Sequence, residues 1–372
     1  VTSLVVTGAL SVDGTPTTLR VADGVVAAAS DGPVLDAAGL VVLPGLVDLQ
    51  VNGAAGVDVT AEPTRLWEVA AALPSYGVTA FLPTVITSSP EARTAALAAL
   101  AAGPPAGWVG AVPLGLHLEG PMIAPERRGA HPAARLAPPS PELVAGWTRD
   151  AGVALVTLAP ELPGALDAVR ALVASGVVVS LGHTAASAAE IEAAVTAGAT
   201  AVTHLGNAMP ALAGRSPGPV GAALASASLV AGVIADGHHL DPVTLAAYRR
   251  ALGPERLLAV SDTTAALGLP DGPARLGDQE VVVSAGTVRL ADGTLAGSAA
   301  SLMDCLAVLR AATGCSLAEA VHAATVVPAR LLGDPSRGSL AIGARGDLVL
   351  VTPALEPVVT VVGGVVVLDR RS

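Results

Sequence analysis

The sequence predicts an α/β fold: a (β/α)8 barrel of the TIM type carrying a small β-sandwich domain built from both chain ends. Three observations carry this reading. Both ends of the 372-residue chain hold short strands divided by glycine, proline and aspartate. The middle alternates buried-type strands with helical segments rich in alanine and leucine. Polar residues follow those strands around the whole series, on the face where a barrel builds its site. An open doubly wound sheet is the architectural alternative, and that distribution of polar residues favours the barrel.

At the N-terminal end the predicted strands are 4–7, 18–21 and 25–28; at the C-terminal end they are 347–351, 358–362 and 365–368. Chain termini often lie close together, so the two sets are expected to form one domain over 1–43 and 336–372. The barrel then occupies 44–335. Its predicted strands are 43–49, 78–82, 111–118, 154–158, 177–181, 201–204, 229–235 and 257–261, with helical spacing at 64–73, 91–102, 187–197 and 242–252.

Composition removes several function classes. Twenty basic residues face 31 acidic ones, and the net charge of −11 argues against nucleic acid as a partner. Local arginines can still bind a small anion. The sequence contains no lysine, which excludes a lysine Schiff base, a P-loop lysine and a carbamylated-lysine metal bridge. The mean hydropathy of +0.64 comes mostly from alanine and valine. The most apolar stretch, 221–235, is broken by serine and glycine and is shorter than the roughly 20 residues a spanning helix needs, so no membrane partner is expected. The start, Val1-Thr2-Ser3-Leu4, lacks the positive region of a secretory leader. Cys305 and Cys315 are too few for a disulfide framework and match no zinc spacing. A cytoplasmic location is expected.

The seven histidines are His117, His131, His183, His204, His238, His239 and His322. Five of the seven lie at or just beyond a predicted strand end. Glu119 follows the third strand, His183 the fifth and His204 the sixth. One glutamate with two imidazoles is a set that suits a catalytic Zn2+ with an open fourth position for water. Asp262 follows the eighth strand, where a carboxylate can take the water's proton and return it to a leaving group. Other polar residues have plainer readings. His117 orients Glu119 or fills the barrel, and His322 belongs to a helix. Asp48 satisfies loop amides, Arg127-Arg128 form a solvated pair or a lid, and Gly53 to Gly56 is a turn.

Several strings resemble one family, the N-acetylglucosamine-6-phosphate deacetylases of the amidohydrolase superfamily. They are Pro44 to Gly53, His117-Leu118-Glu119-Gly120-Pro121, Gly129-Ala130-His131, Gly182-His183-Thr184, His204 to Pro210, Asp236-Gly237-His238-His239, Ser261-Asp262 and Leu295-Ala296-Gly297-Ser298. The resemblance covers essentially the full chain and keeps the family's order. It implies hydrolysis of N-acetylglucosamine 6-phosphate to glucosamine 6-phosphate and acetate, in amino sugar catabolism and recycling. It also implies Glu119, His183 and His204 as metal ligands, Asp262 as catalytic base and acid, and His131 as the residue that polarises the acetamide carbonyl. Ala130, Asn207, Ala208, Arg215 and His239 are implied as substrate contacts, with Arg215 the phosphate partner. Leu295, Ala296 and Gly297 are implied as a loop bordering the sugar.

Two departures stand out. Gln50 and Asn52 occupy the places where many amidohydrolases carry His-x-His for a second metal, so one divalent ion per subunit is expected: Zn2+, with Fe2+, Mn2+ or Co2+ as alternatives. The run Ser298 to Met303 is longer than is usual in the family. The resemblance further implies a homodimer in which Arg215 reaches the neighbouring active site. The alternatives carried forward are a deacetylase for N-acetylgalactosamine 6-phosphate, another amidohydrolase acting on a cyclic amide or as a deaminase, and a metal-free scaffold.

Overall fold

A computed structural model describes residues 2–371. Eight parallel strands make the barrel: β1 (Leu46–Val51), β2 (Val78–Ile86), β3 (Leu116–Glu119), β4 (Val153–Leu158), β5 (Val178–Leu181), β6 (Ala201–Val202), β7 (Val230–Ile234) and β8 (Leu257–Val260). They pair in chain order, and each expected strand is present. The ring closes where Val51 bridges Thr263 in parallel. Asp48 secures that seam: its carboxylate accepts from the backbone N–H groups of Gln50 and Ser261 and from the Ser261 hydroxyl. Asp48 therefore satisfies strand-end donors, as expected.

Period-two alternation divides the strand side chains between two cores. Val47, Leu49, Ala80, Leu82, Leu155, Ile234, Leu258 and Val260 cluster together, joined at one end by Val327 of helix Val326–Leu331. Phe81, Leu118, Val156, Leu158, Val179 and Val233 pack instead with helical residues such as Leu66, Val69, Leu172 and Leu245. Polar side chains start the helices where the chain turns back. Ser187 and Glu190 form a capping box on Ala188–Thr196, Asp241 caps Pro242–Leu252, and Ser301 with Asp304 caps Leu302–Thr313. Among the described residues no helix is long and apolar enough to cross a membrane.

The chain ends form one mixed eight-stranded sheet, joined where Val41–Pro44 pairs antiparallel with Leu348–Val351. The sheet curls so that Gly346 donates to the carbonyl of Gly24 and Gly364 donates to that of Gly346. Leu4, Val6, Val21, Leu35, Val42, Leu348, Val359 and Val361 fill the space between its halves. This is the predicted sandwich.

One element was not legible. After β8 comes a four-stranded antiparallel sheet: Gly272–Leu276, Gln279–Ser284, Thr287–Arg289 and Leu295–Ser298. Leu295, Ala296 and Gly297 thus lie on a strand, not on the loop the resemblance implied. Ala296 and Gly297 carry little β propensity, and pairing with Thr287–Arg289 overrides it.

Candidate active site

Glu119 ends β3, and the peptides after β5 and β8 turn His183 and Asp262 into the mouth of the barrel. His183 (φ 49°), His204 (φ 32°), Ala208 (φ 50°) and Asp262 (φ 50°) all take left-handed backbone conformations. Each costs of order 1–3 kcal/mol for a residue with a Cβ, so the surrounding structure must enforce it. All four are residues which the sequence marked as functional.

His183 Nδ1 donates to the carbonyl of Arg127 at 2.8 Å, which leaves a lone pair on its Nε2. That Nε2 lies 3.1 Å from Glu119 Oε1 and 3.1 Å from His204 Nε2, and His204 Nε2 is also 3.1 Å from the same oxygen. Three buried side-chain atoms therefore converge on one point, and His204 Nδ1 has no hydrogen-bond partner of its own. Metal–ligand bonds of about 2.0–2.1 Å in a tetrahedron put ligand atoms about 3.3 Å apart, so the residues fit a small divalent cation. Burial alone would push the Glu119 carboxyl up, but His183 and His204 hold it well below the usual carboxylate range.

Gln50 and Asn52 stand beside the set as amides. Gln50 Nε2 sits 3.3 Å from both Glu119 oxygens, and Asn52 Nδ2 donates to Asp262 Oδ1 at 2.7 Å. Amide groups thus face the Glu119 and Asp262 carboxylates. Among the described residues Glu119, His183 and His204 form the one group with metal-ligand spacing.

Two neighbouring groups are placed for proton work. Burial, then repulsion from Glu119, pushes the Asp262 carboxyl up to about 8. A cation on the ligand set opposes that repulsion and favours the carboxylate. Burial, then the neighbouring His183, holds the His131 imidazole down to about 3, so it is neutral at physiological pH. The Thr87 backbone N–H donates to His131 Nδ1 at 3.3 Å. The ring proton is therefore on Nε2, which faces Glu119 Oε2 at 4.0 Å.

Beneath the site runs a buried chain of hydrogen bonds. His117 Nδ1 donates to the carbonyl of Leu49, so its Nε2 accepts from Thr157, which accepts from Thr203, which accepts from Ser180. Burial holds His117 down to about 4 and keeps it neutral. The network braces the strand ends that carry Glu119 and His204.

The sequence matches the Amidohydrolase family over residues 41–367. The chain belongs to the amidohydrolase family. A human N-acetylglucosamine-6-phosphate deacetylase is 42% identical over 88% of this chain and 84% of its own. The solved structure of that enzyme from Thermotoga maritima superposes with a TM-score of 0.89 at 31% identity, covering 98% of this chain and 99% of its own. A Mycobacterium smegmatis mutant deacetylase in complex with N-acetyl-D-glucosamine-6-phosphate gives 0.87 at 35%, covering 99% of each.

Around the metal-ligand set this amidohydrolase has a cavity of about 310 Å3. Ala130, Asn207, Ala208, His239, Leu295, Ala296 and Gly297 line it, so the structure brings these expected contacts together. His239 Nδ1 donates to Asp236 at 2.7 Å, which leaves Nε2 as the ring atom available to a ligand. Gly297 (φ +68°) must be glycine, because a Cβ there would stand 2.9 Å from the Asp262 carbonyl. Arg215 lies apart, on an exposed turn closed by the Ala213–Ser216 bridge, and does not line the cavity. Sequence reasoning missed Thr87, Leu276 and Thr294. Arg127 it noticed only as half of a basic pair.

Proposed function

We propose that this amidohydrolase deacetylates N-acetylglucosamine 6-phosphate, giving glucosamine 6-phosphate and acetate, in amino sugar catabolism and recycling. The observation that carries the reading is the convergence of Glu119, His183 and His204 beside Asp262 and a neutral His131, in a chain similar to proteins named for that reaction. One divalent ion, Zn2+ by its ligand set, would be held by the three ligands; when bound it supplies Lewis-acid polarisation and lowers the pKa of water.

The chain's own residues supply the rest. Asp262, aimed by Asn52, takes a proton from the attacking water and delivers it to the sugar nitrogen as the amide bond breaks. His131 Nε2–H donates to the acetamide oxygen as negative charge develops there. Asn207, Ala208 and His239 hold the sugar phosphate, and Leu295 to Gly297 flank the ring. Arg215, on its exposed turn, serves the site of the second subunit in a homodimer. The cytoplasm suits a protein whose two cysteines are both free and buried.

Acetate release from a panel of N-acetyl hexosamines, each with and without the 6-phosphate, tests the reading. The phosphorylated gluco compound is expected to give the highest kcat/KM. Preference for the galacto epimer or for a cyclic amide would replace it. Arg215→Ala mixed with Asp262→Asn tests the shared site: hybrid dimers recover activity if Arg215 acts across the interface.

A further inference from the structure

The structure separates two adjacent arginines that the deacetylase reading leaves unused. Arg128 turns to His131, with Nη1 donating to the His131 carbonyl at 3.0 Å. Arg127 closes the short 3-10 turn Pro125–Arg127 and lines the cavity. Its carbonyl accepts a hydrogen bond from His183 Nδ1, which fixes the residue beside the metal ligands.

The Arg127 side chain is left with work to do. Arg65, Arg249 and Arg337 are matched to carboxylates, whereas among the described residues Arg127 is in no ion pair. Its Nε is buried without a hydrogen-bond partner. A buried guanidinium N–H is costly unless an acceptor meets it, and the acceptor that fits its planar fork is a carboxylate or phosphate. Among the described residues Arg127 is also the only arginine lining the cavity, in a chain without lysine. Glu126 stands at the rim, exposed to solvent, and does not neutralise it.

We propose that Arg127 is an in-chain anchor for the substrate phosphate, and through it a determinant of the preference for phosphorylated over plain amino sugars. This rests on the deacetylase reading above. It adds a cation within the subunit that holds the metal, separate from any contribution of Arg215 from a second subunit. The backbone carbonyl that orients His183 is untouched by side-chain substitution, so anchoring the phosphate and holding the metal are separable.

The test compares wild type, Arg127→Met and Arg127→Lys on N-acetylglucosamine 6-phosphate and on N-acetylglucosamine, with metal content measured for each. The readout is the ratio of kcat/KM for the phosphorylated sugar to that for the plain sugar. Arg127→Met is expected to lower that ratio about 10–100-fold, the worth of a lost charge-assisted hydrogen bond, with the loss carried by KM. Arg127→Lys, which keeps the charge but not the fork, should recover part of it. The inhibition constant of inorganic phosphate should rise in step. An unchanged ratio, or equal losses on both sugars accompanied by loss of metal, overturns the proposal. A wild type that fails to deacetylate the phosphorylated sugar overturns the deacetylase reading itself, and the Arg127 assignment with it; the wild-type measurement alone separates the two failures.

Discussion

The mouth of the barrel is built from two kinds of structure. One side is the ends of the parallel strands, where Glu119, His183, His204 and Asp262 are all buried. The other is the inserted antiparallel sheet, which contributes Leu276, Thr294, Leu295, Ala296 and Gly297 to the cavity. The strand ends carry left-handed residues and are locked by hydrogen bonds with Gln50, Asn52, Thr87 and the Arg127 carbonyl. The inserted sheet alternates exposed and buried positions, with Val282 54% exposed. Burial and side-chain hydrogen bonding among the functional residues mark the side that does chemistry. Alternating exposure marks the side that shapes the ligand space.

The largest expected effect lies on the strand-end side. Asp262→Asn keeps size and the neighbouring amide but loses the proton acceptor, so kcat should fall about 10²–10⁴-fold. Elemental analysis should still find one tightly held ion per chain, because Asp262 is outside the three-ligand group. Two tightly held ions, or near-normal turnover, would show that the two sides are divided in the wrong place.

This division also governs what the sequence makes legible. Parallel barrel strands are buried on both faces, so runs such as Val153–Leu158 stand out, and the residue after each run is the site by the geometry of the fold. The strands of the inserted sheet are short, half-exposed and set between glycines and aspartates, a texture shared with loops. Thr87 is opaque for another reason. Its role comes from meeting His131, 44 residues away, and threonine at a strand end has no signature. Likewise nothing in an Arg-Arg pair says that one side chain enters a cavity while its neighbour turns to a carbonyl.

Buried carboxylates tie down both sides, and they give the next effect. Asp48 joins β1 to β8, and Asp58 accepts from the amides of Ala61 and Gly277, fastening the inserted sheet to the barrel. Burial pushes each from 3.8 up to about 6. A carboxyl whose folded pKa is raised contributes stability that is fully present below its unfolded value. That contribution is lost as pH rises through about 6, at most about 3 kcal/mol for each group. Thermal unfolding from pH 4 to 8 should therefore depend less on pH in Asp48→Asn and in Asp58→Asn than in wild type. Hydrogen exchange should speed up over 272–298 in Asp58→Asn alone; exchange that rises equally in the barrel would erase the distinction between the sides.

Gly297 is where the two sides touch, so Gly297→Ala probes whether they are independent. The added Cβ meets the Asp262 carbonyl at 2.9 Å and Thr264 Cγ2 at 2.7 Å, at a φ that alanine avoids. A stability loss of about 1–3 kcal/mol is expected. Because the displaced atom belongs to Asp262, kcat and KM should both worsen, whereas changes confined to the inserted sheet should appear in KM. A pure KM effect would mean that the strand ends absorb no strain from their neighbour.

The smallest effect tests how the strand-end side holds its electrophile. Thr87 touches His131 twice, through the hydroxyl at 2.8 Å and the backbone N–H at 3.3 Å. Thr87→Val keeps the β-branched shape and the N–H, and removes only the hydroxyl. The N–H still donates to Nδ1, so the proton stays on Nε2 and His131 remains a donor to the amide oxygen. What is lost is orientation worth about 1 kcal/mol, a fall in kcat of about 5-fold with KM little changed. The hydroxyl also lies 3.4 Å from the Glu119 carbonyl, so metal content must be read alongside. A fall in kcat with the ion retained assigns the loss to His131. A fall that tracks loss of the ion would place Thr87 in support of Glu119 instead, and a fall of about 100-fold or more would mean that the hydroxyl, not the N–H, sets the tautomer.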